Sequence, residues 1–161
     1  MRILTLSVAL FAASFVPHLR AEVVRPAPEF RWIDATGASK SSKEFRGRPV
    51  VVVIAKSPRQ WAFRSQVGQL QLMYERLAAQ RIVCVAAFSG QTGVVRSNIP
   101  FVTVADGPRV ALDFDAPDGF AIAVIGRDGN LDYMSDRVTP VQRIADIMNN
   151  SFAVQEALRR R

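Results

Sequence analysis

The segment PVVVVIAKSPRQWAFR, residues 49–64, constrains the fold more than any other part of the chain. Its β-branched apolar run from Val50 to Ile54 is typical of a buried strand. The run breaks at Lys56, and Ser57 can then cap a helix whose first position is occupied by Pro58. Apolar residues recur at helical spacing from there to about Gln80. The sequence therefore predicts a buried strand, a tight turn and an amphipathic helix.

Two further apolar runs, Ile82 to Phe88 and Phe120 to Ile125, predict two more core strands. A helix separates the first strand from the second, which predicts a right-handed parallel crossover. Gly126-Arg127-Asp128-Gly129 is a hairpin turn that leads into a returning strand over 131–134. A short helix is predicted over 109–114, and Thr139-Pro140-Val141-Gln142 predicts a capped helix after the hairpin.

Residues 1–21 have the pattern of a secretory signal peptide, with Arg2, an apolar core of about 14 residues and a small residue, Ala21, at the cleavage position. The prediction is a signal peptide over 1–21, an extended lead over 22–40 and one domain over 41–158. A signal peptide predicts a periplasmic or extracellular location. No stretch reaches the roughly 20 apolar residues that a spanning helix needs, so no membrane span is predicted.

Histidine and cysteine are nearly absent, which excludes several reaction classes. The one histidine, His18, would leave with the signal peptide, so the mature chain has no Ser-His-Asp or Cys-His site and no histidine-bearing zinc site. Cys84 lies inside an apolar strand, which predicts a buried core residue. One cysteine cannot form an internal disulfide. The sequence indicates no catalytic residue, no metal ligand and no cofactor.

The order strand, helix, strand, helix, hairpin, helix resembles the thioredoxin superfamily. That resemblance implies an α/β thioredoxin-like three-layer sandwich, with a central mixed sheet and flanking helices. The positions of the two thioredoxin cysteines fall on Pro58 and Trp61, and the position of the superfamily's cis-proline falls on Phe120. The resemblance thus implies the fold without its dithiol.

A second resemblance covers roughly residues 41–158. The segment FAIAVIGRDG (120–129), the capped helix and Val154-Gln155-Glu156 resemble the C-terminal half of the peroxiredoxin-like DUDES domain, found in secreted bacterial proteins and in animal sushi-repeat proteins. This chain departs from that family's Gly-Lys-Asp-Gly-Gly signature at Arg127 and Asn130. The resemblance implies a thioredoxin-like fold with no established redox activity, and it carries over no catalytic residue.

Charge is divided unevenly along the chain. Residues 46–109 carry nine basic and two acidic side chains, whereas residues 110–136 carry six aspartates and one arginine. The basic part includes the predicted helix start, where free amides and the helix dipole favour anions. The predicted binding residues are Lys56, Ser57, Arg59, Gln60, Trp61 and Asp118.

The predicted ligand of these residues is a small anion or an acidic peptide group. The competing interpretations are that Ser57 only caps the helix, that the charges are solvated, that Arg59 pairs with Asp115 or Asp118, and that Trp61 folds onto the core. Nucleic acid is not an expected partner, because no basic tract is interleaved with aromatic residues.

The favoured interpretation is a redox-inactive binding or interaction module. One alternative is an envelope thiol oxidoreductase or peroxidase accessory that uses Cys84. Another is a structural envelope protein that holds anionic surfaces through its basic half.

Overall fold

The computed structural model describes residues 25–117, 119–151 and 160. The predicted signal peptide (1–21) and the basic segment after residue 151 lie outside the described residues, apart from Arg160. The strands are β1 (Arg25–Pro26), β2 (Arg31–Ile33), β3 (Ser39–Ser41), β4 (Val50–Ala55), β5 (Val83–Phe88), β6 (Phe101–Thr103), β7 (Ala121–Ile125) and β8 (Asn130–Ser135). The helices are α1 (Trp61–Gln71), α2 (Tyr74–Ala79), α3 (Gly107–Asp113) and α4 (Val141–Asn149), with a 3-10 turn over Ser42–Phe45.

The central sheet has six strands in the order β1-β8-β7-β4-β5-β6. β4 pairs with β5 in parallel, from Val50 opposite Val83 to Ala55 opposite Phe88. On its other side β4 pairs antiparallel with β7, which continues through the hairpin into β8. The three apolar runs are therefore neighbours with the predicted directions. They are continuous rather than alternating because both faces of these strands are covered.

Alternate residues of β4 belong to two separate cores. Val51 and Val53 pack with α1, α2 and α4 on one face, and Val50 and Val52 pack with α3 on the other. This arrangement confirms the predicted three-layer sandwich of helices around a mixed sheet. No helix in the described part of the chain is long and apolar enough to cross a membrane.

The N-terminal lead completes the face that α3 covers. Phe30 is buried in that core, and Trp32 stacks on Phe45 with ring centroids 5.5 Å apart. β1 adds to the sheet beside β8, and Trp32 bridges to Val104 next to β6. The lead thus adds aromatic side chains to the cover of this face.

The predicted start of α1 was wrong. The helix begins at Trp61 rather than near Ser57, because the Gln60 amide donates to the Ser57 carbonyl at 3.1 Å and closes a turn. The Gln60 side chain also accepts a hydrogen bond from the Lys56 amide at 2.7 Å. Local hydrogen bonds of this kind compete with a helical start.

Two other helix predictions also needed correction. The helix predicted to run to Gln80 divides into α1 and α2, where the Leu72 and Met73 amides bond three residues back, at 3.3 and 3.4 Å, in 3-10 fashion. Thr139 does not cap α4: its hydroxyl donates to the Arg137 carbonyl, and the helix starts at Val141.

A buried glutamine connects α1 to the loop before α4. Gln66 is fully buried, and its amide group pairs twice with the backbone of Thr139. Its Nε2 donates to the Thr139 carbonyl at 3.0 Å, and its Oε1 accepts from the Thr139 amide at 2.7 Å. These bonds satisfy two buried backbone groups that regular secondary structure leaves unpaired.

We predict that Gln66→Ala lowers the free energy of unfolding by about 2–4 kcal/mol, because it leaves the Thr139 amide and carbonyl buried without partners. Urea unfolding measures the effect. Gln142→Ala is the matched control, since Gln142 is an exposed helical glutamine whose loss should cost less than about 0.5 kcal/mol. Equal losses in the two variants would show that the Gln66 bonds do not hold the loop.

A second prediction concerns the approach of α3 to β5. A Cβ atom at Gly107 would lie 1.9 Å from the Phe88 carbonyl oxygen, so Gly107→Ala forces the helix away from the sheet. We expect a loss of about 1–3 kcal/mol or more in thermal or urea unfolding. At Gly68, inside α1, an added Cβ meets nothing within 4 Å, and Gly68→Ala should stabilise the protein by about 0.5–1 kcal/mol. The test is that Gly107→Ala lowers the free energy of unfolding while Gly68→Ala raises it.

Candidate functional site: an arginine-lined groove at the sheet edge

The turn after β4 and the connection after β5 lie side by side. Parallel neighbouring strands end at the same edge of a sheet, so the segments that follow them meet there. The Lys56 carbonyl accepts hydrogen bonds from the amides of Gly90 and Gln91, at 3.1 and 2.9 Å. Further along, Gly93 comes so close to Pro58 that an added Cβ would be 3.0 Å from the proline ring.

Between these segments and the start of α1 lies an open groove of about 670 Å³. Phe63 and Val67 are its buried apolar members. The other lining residues come from the turn, from α1 and from the connection, and they are Pro58, Arg59, Arg64, Gln71, Gln91, Thr92, Gly93, Val94 and Arg96. We call this site the arginine groove.

The charge of the groove is of one sign. Arg59, Arg64 and Arg96 line it, all three are exposed, and no carboxylate is among the lining residues. Within the described residues none of the three guanidinium groups takes part in an ion pair or a side-chain hydrogen bond. An anion in the groove would therefore meet cations that no acidic neighbour neutralises.

One wall of the groove has an unpaired backbone. From Thr92 to Arg96 the chain is exposed or half-buried, and none of its amides or carbonyls is hydrogen-bonded to another described residue. The stretch is anchored on both sides, by the Gln91 amide on Lys56 and by the Gln71 side chain, which donates to Asn98 Oδ1 at 2.9 Å. The wall is thus fixed at its ends, with its polar groups open to solvent.

The structure brings only part of the predicted site together. Arg59 lines the groove, whereas Lys56, Ser57 and Gln60 form the turn behind it. Trp61 is 70% exposed, so the alternative that it folds onto the core was wrong. Asp118 lies outside the described residues.

The alternative in which Arg59 pairs with Asp115 was also wrong. Asp115 lies 3.9 Å from the Arg25 guanidinium, after α3 on the other side of the sheet. Sequence reasoning missed five polar lining residues: Arg64, Gln71, Gln91, Thr92 and Arg96. The signal for Gln91, Thr92 and Arg96 was the parallel pairing itself, since it requires the connection after β5 to lie beside the turn after β4.

The environment of Cys84 does not favour a reactive thiol. It is on β5 between Val51 and Phe101, and only 2% of its surface is exposed. Burial raises the pKa of its thiol from 9.0 to about 12. The residue is a buried core cysteine, as predicted, and it has no thiolate at neutral pH. No group of three or more potential metal ligands occurs among the residues that the structure describes.

Comparison with solved structures identifies the fold. A putative protein disulfide isomerase from Bacteroides thetaiotaomicron is similar at a TM-score of 0.62 and 12% identity, over 81% of this chain and 92% of that one. Thioredoxin peroxidase I from Plasmodium yoelii is similar at a TM-score of 0.62 and 14% identity, over 84% and 92%. A putative thiol:disulfide interchange protein DsbE from Chlorobium tepidum is similar at 0.55 and 15%, over 76% and 90%.

Sequence comparison gives no closer assignment. No family model matches the chain, and no curated protein matches it by sequence. At these low identities the structural likeness carries the fold alone. The protein has a thioredoxin-like fold.

We predict that Cys84 lowers alkaline stability. Between pH 9.0 and about 12 the unfolded thiol loses its proton while the buried thiol keeps it, so the free energy of unfolding falls as pH rises. Below pH 9.0 both states are protonated and the effect vanishes. Cys84→Ala lacks this slope and carries only a packing cost of roughly 0.5–2 kcal/mol at every pH.

Urea unfolding of both proteins across this pH range measures the difference. Curves that stay parallel would contradict the burial of the thiol. So would a native protein that reacts with a thiol reagent as fast as the unfolded chain does.

Proposed function

We propose that this protein is a periplasmic or extracellular thioredoxin-fold binding module that recognises anionic groups through the arginine groove. The observation that carries the proposal is the set of Arg59, Arg64 and Arg96 around one open groove without a carboxylate. Guanidinium groups bind carboxylates and phosphates in bidentate geometry, and unpaired ones are available for that use. The signal-peptide pattern over 1–21 supports the location.

The module is redox-inactive in this proposal. Thiol–disulfide exchange needs an attacking thiolate, and the positions that correspond to the thioredoxin cysteines are Pro58 and Trp61. Cys84 is buried in β5 and its thiol stays protonated at neutral pH. The DUDES-like resemblance over residues 41–158 agrees with this proposal, since it implies the fold without established redox chemistry.

The second candidate is an envelope thiol oxidoreductase or peroxidase accessory that uses Cys84. It is favoured by the kind of proteins that share the fold, which are disulfide isomerases, interchange proteins and peroxidases by their names. It requires a path from solvent to Cys84, which burial of this side chain in the helix-covered core closes in the described structure. Insulin disulfide reduction and peroxide consumption test it, and activity lost in Cys84→Ala would establish it.

For anion binding, the test is a titration of the ¹⁵N-labelled protein with inorganic phosphate at ionic strength held constant with sodium chloride. We expect shifts centred on the amides of the groove. Arg59→Gln, Arg64→Gln and Arg96→Gln should each weaken binding by about 1–3 kcal/mol and leave thermal stability nearly unchanged. Arg76→Gln on α2 is the matched control, because Arg76 is exposed, carries the same charge and lies outside the groove. Equal weakening by Arg76→Gln, or shifts centred elsewhere, would refute the proposal.

A further inference from the structure

The groove is longer than a small anion requires. Its volume of about 670 Å³ falls in the range of sites that hold ligands of many atoms. Arg64 and Gln71 both line it and lie seven residues apart on α1, which places them about 10 Å apart along the helix axis. That distance equals about three residues of extended chain. An elongated ligand therefore fits the groove better than a single oxyanion does.

Apolar surface accompanies the charge. Phe63 and Val67 line the groove but are already buried in the core, whereas Val94 lines it with 84% of its surface exposed and Pro58 is half-buried. A free phosphate or sulfate gains nothing from such surface. A ligand that carries apolar side chains between its acidic groups buries the exposed surface of Val94 and gains from the hydrophobic effect.

The wall from Thr92 to Arg96 offers a backbone to pair with. Its five residues include no proline, and none of their amides or carbonyls is hydrogen-bonded within the described structure. An extended peptide can pair with such a free backbone as it does with a sheet edge, and alternate side chains then point to the two sides. Alternation would direct one set of side chains into the groove.

From these features we infer that the arginine groove binds an extended, acidic peptide segment of a partner protein, whose backbone pairs with Thr92 to Arg96. Its aspartate or glutamate side chains meet Arg59, Arg64 and Arg96, and its apolar side chains contact Val94 and Pro58. The inference rests on the proposed function, since it names the ligand class of the same site. Charge complementarity selects an acidic segment over a basic or neutral one.

The experiment uses fluorescein-labelled peptides of about ten residues, long enough to span the groove, with fluorescence anisotropy as the readout. The parent peptide alternates aspartate with valine. Three matched peptides replace aspartate by lysine, replace valine by serine, or carry N-methyl groups on alternate amides. We expect the parent to bind, the lysine peptide not to bind, and the serine and N-methylated peptides each to bind about tenfold more weakly.

Variants of the protein locate the site. The affinity for the parent peptide should fall about tenfold in each of Arg59→Gln, Arg64→Gln and Arg96→Gln. In Arg76→Gln it should fall less than about twofold. Val94→Pro removes one amide of the free wall without breaking a hydrogen bond of the fold. It should weaken binding of the parent peptide.

The outcomes separate the two proposals. Phosphate binding without binding of the parent peptide overturns the inference and leaves the proposed function standing. If neither phosphate nor the parent peptide binds, the inference and the proposed function are both overturned. Equal affinity for the parent, serine and N-methylated peptides, or for a single-stranded oligonucleotide of the same charge, overturns the inference as well, because charge alone would then account for binding.

Discussion

The parallel pairing of β4 with β5, continued by the Lys56 carbonyl, determines where every part of the site lies. Six residue pairs hold the two strands in register, and the Lys56 oxygen then accepts the amides of Gly90 and Gln91. This carbonyl ties the turn after one strand to the connection after the other. The groove exists because two segments that are more than thirty residues apart in sequence are fixed at one sheet edge.

The thioredoxin-like fold is present here without a cysteine at the turn after β4. Pro58 and Trp61 stand where thioredoxins have cysteines, and the one remaining thiol, Cys84, is enclosed between β4 and β6. The same sheet edge instead presents three guanidinium groups without acidic neighbours in the groove. In the proposed function, guanidinium groups at this edge bind anions reversibly, and no thiolate is present there for covalent exchange. The fold supplies the location, and the side chains decide the chemistry.

The sheet was predictable from the sequence because its strands are continuous apolar runs, whose burial on both faces follows from that pattern. The start of α1 was not predictable from the sequence. The hydrogen bonds of Gln60 to Ser57 and Lys56 form only in the folded turn, and they outweigh the capping tendency of Ser57. Arg59 was found because it lies in the turn itself. Arg64 and Arg96 were missed because their meeting depends on tertiary pairing, which a linear pattern does not display. The exposure of Trp61 likewise depends on where the helix begins.

The most direct test of the account is the anomalous difference density of selenate soaked into crystals of this protein. Selenate is a tetrahedral dianion like sulfate, and its selenium marks its own position. The account predicts a peak in the arginine groove, in contact with at least two of Arg59, Arg64 and Arg96. Selenate ordered elsewhere on the surface, with the groove empty, would contradict the central claim that these arginines form an anion-binding site.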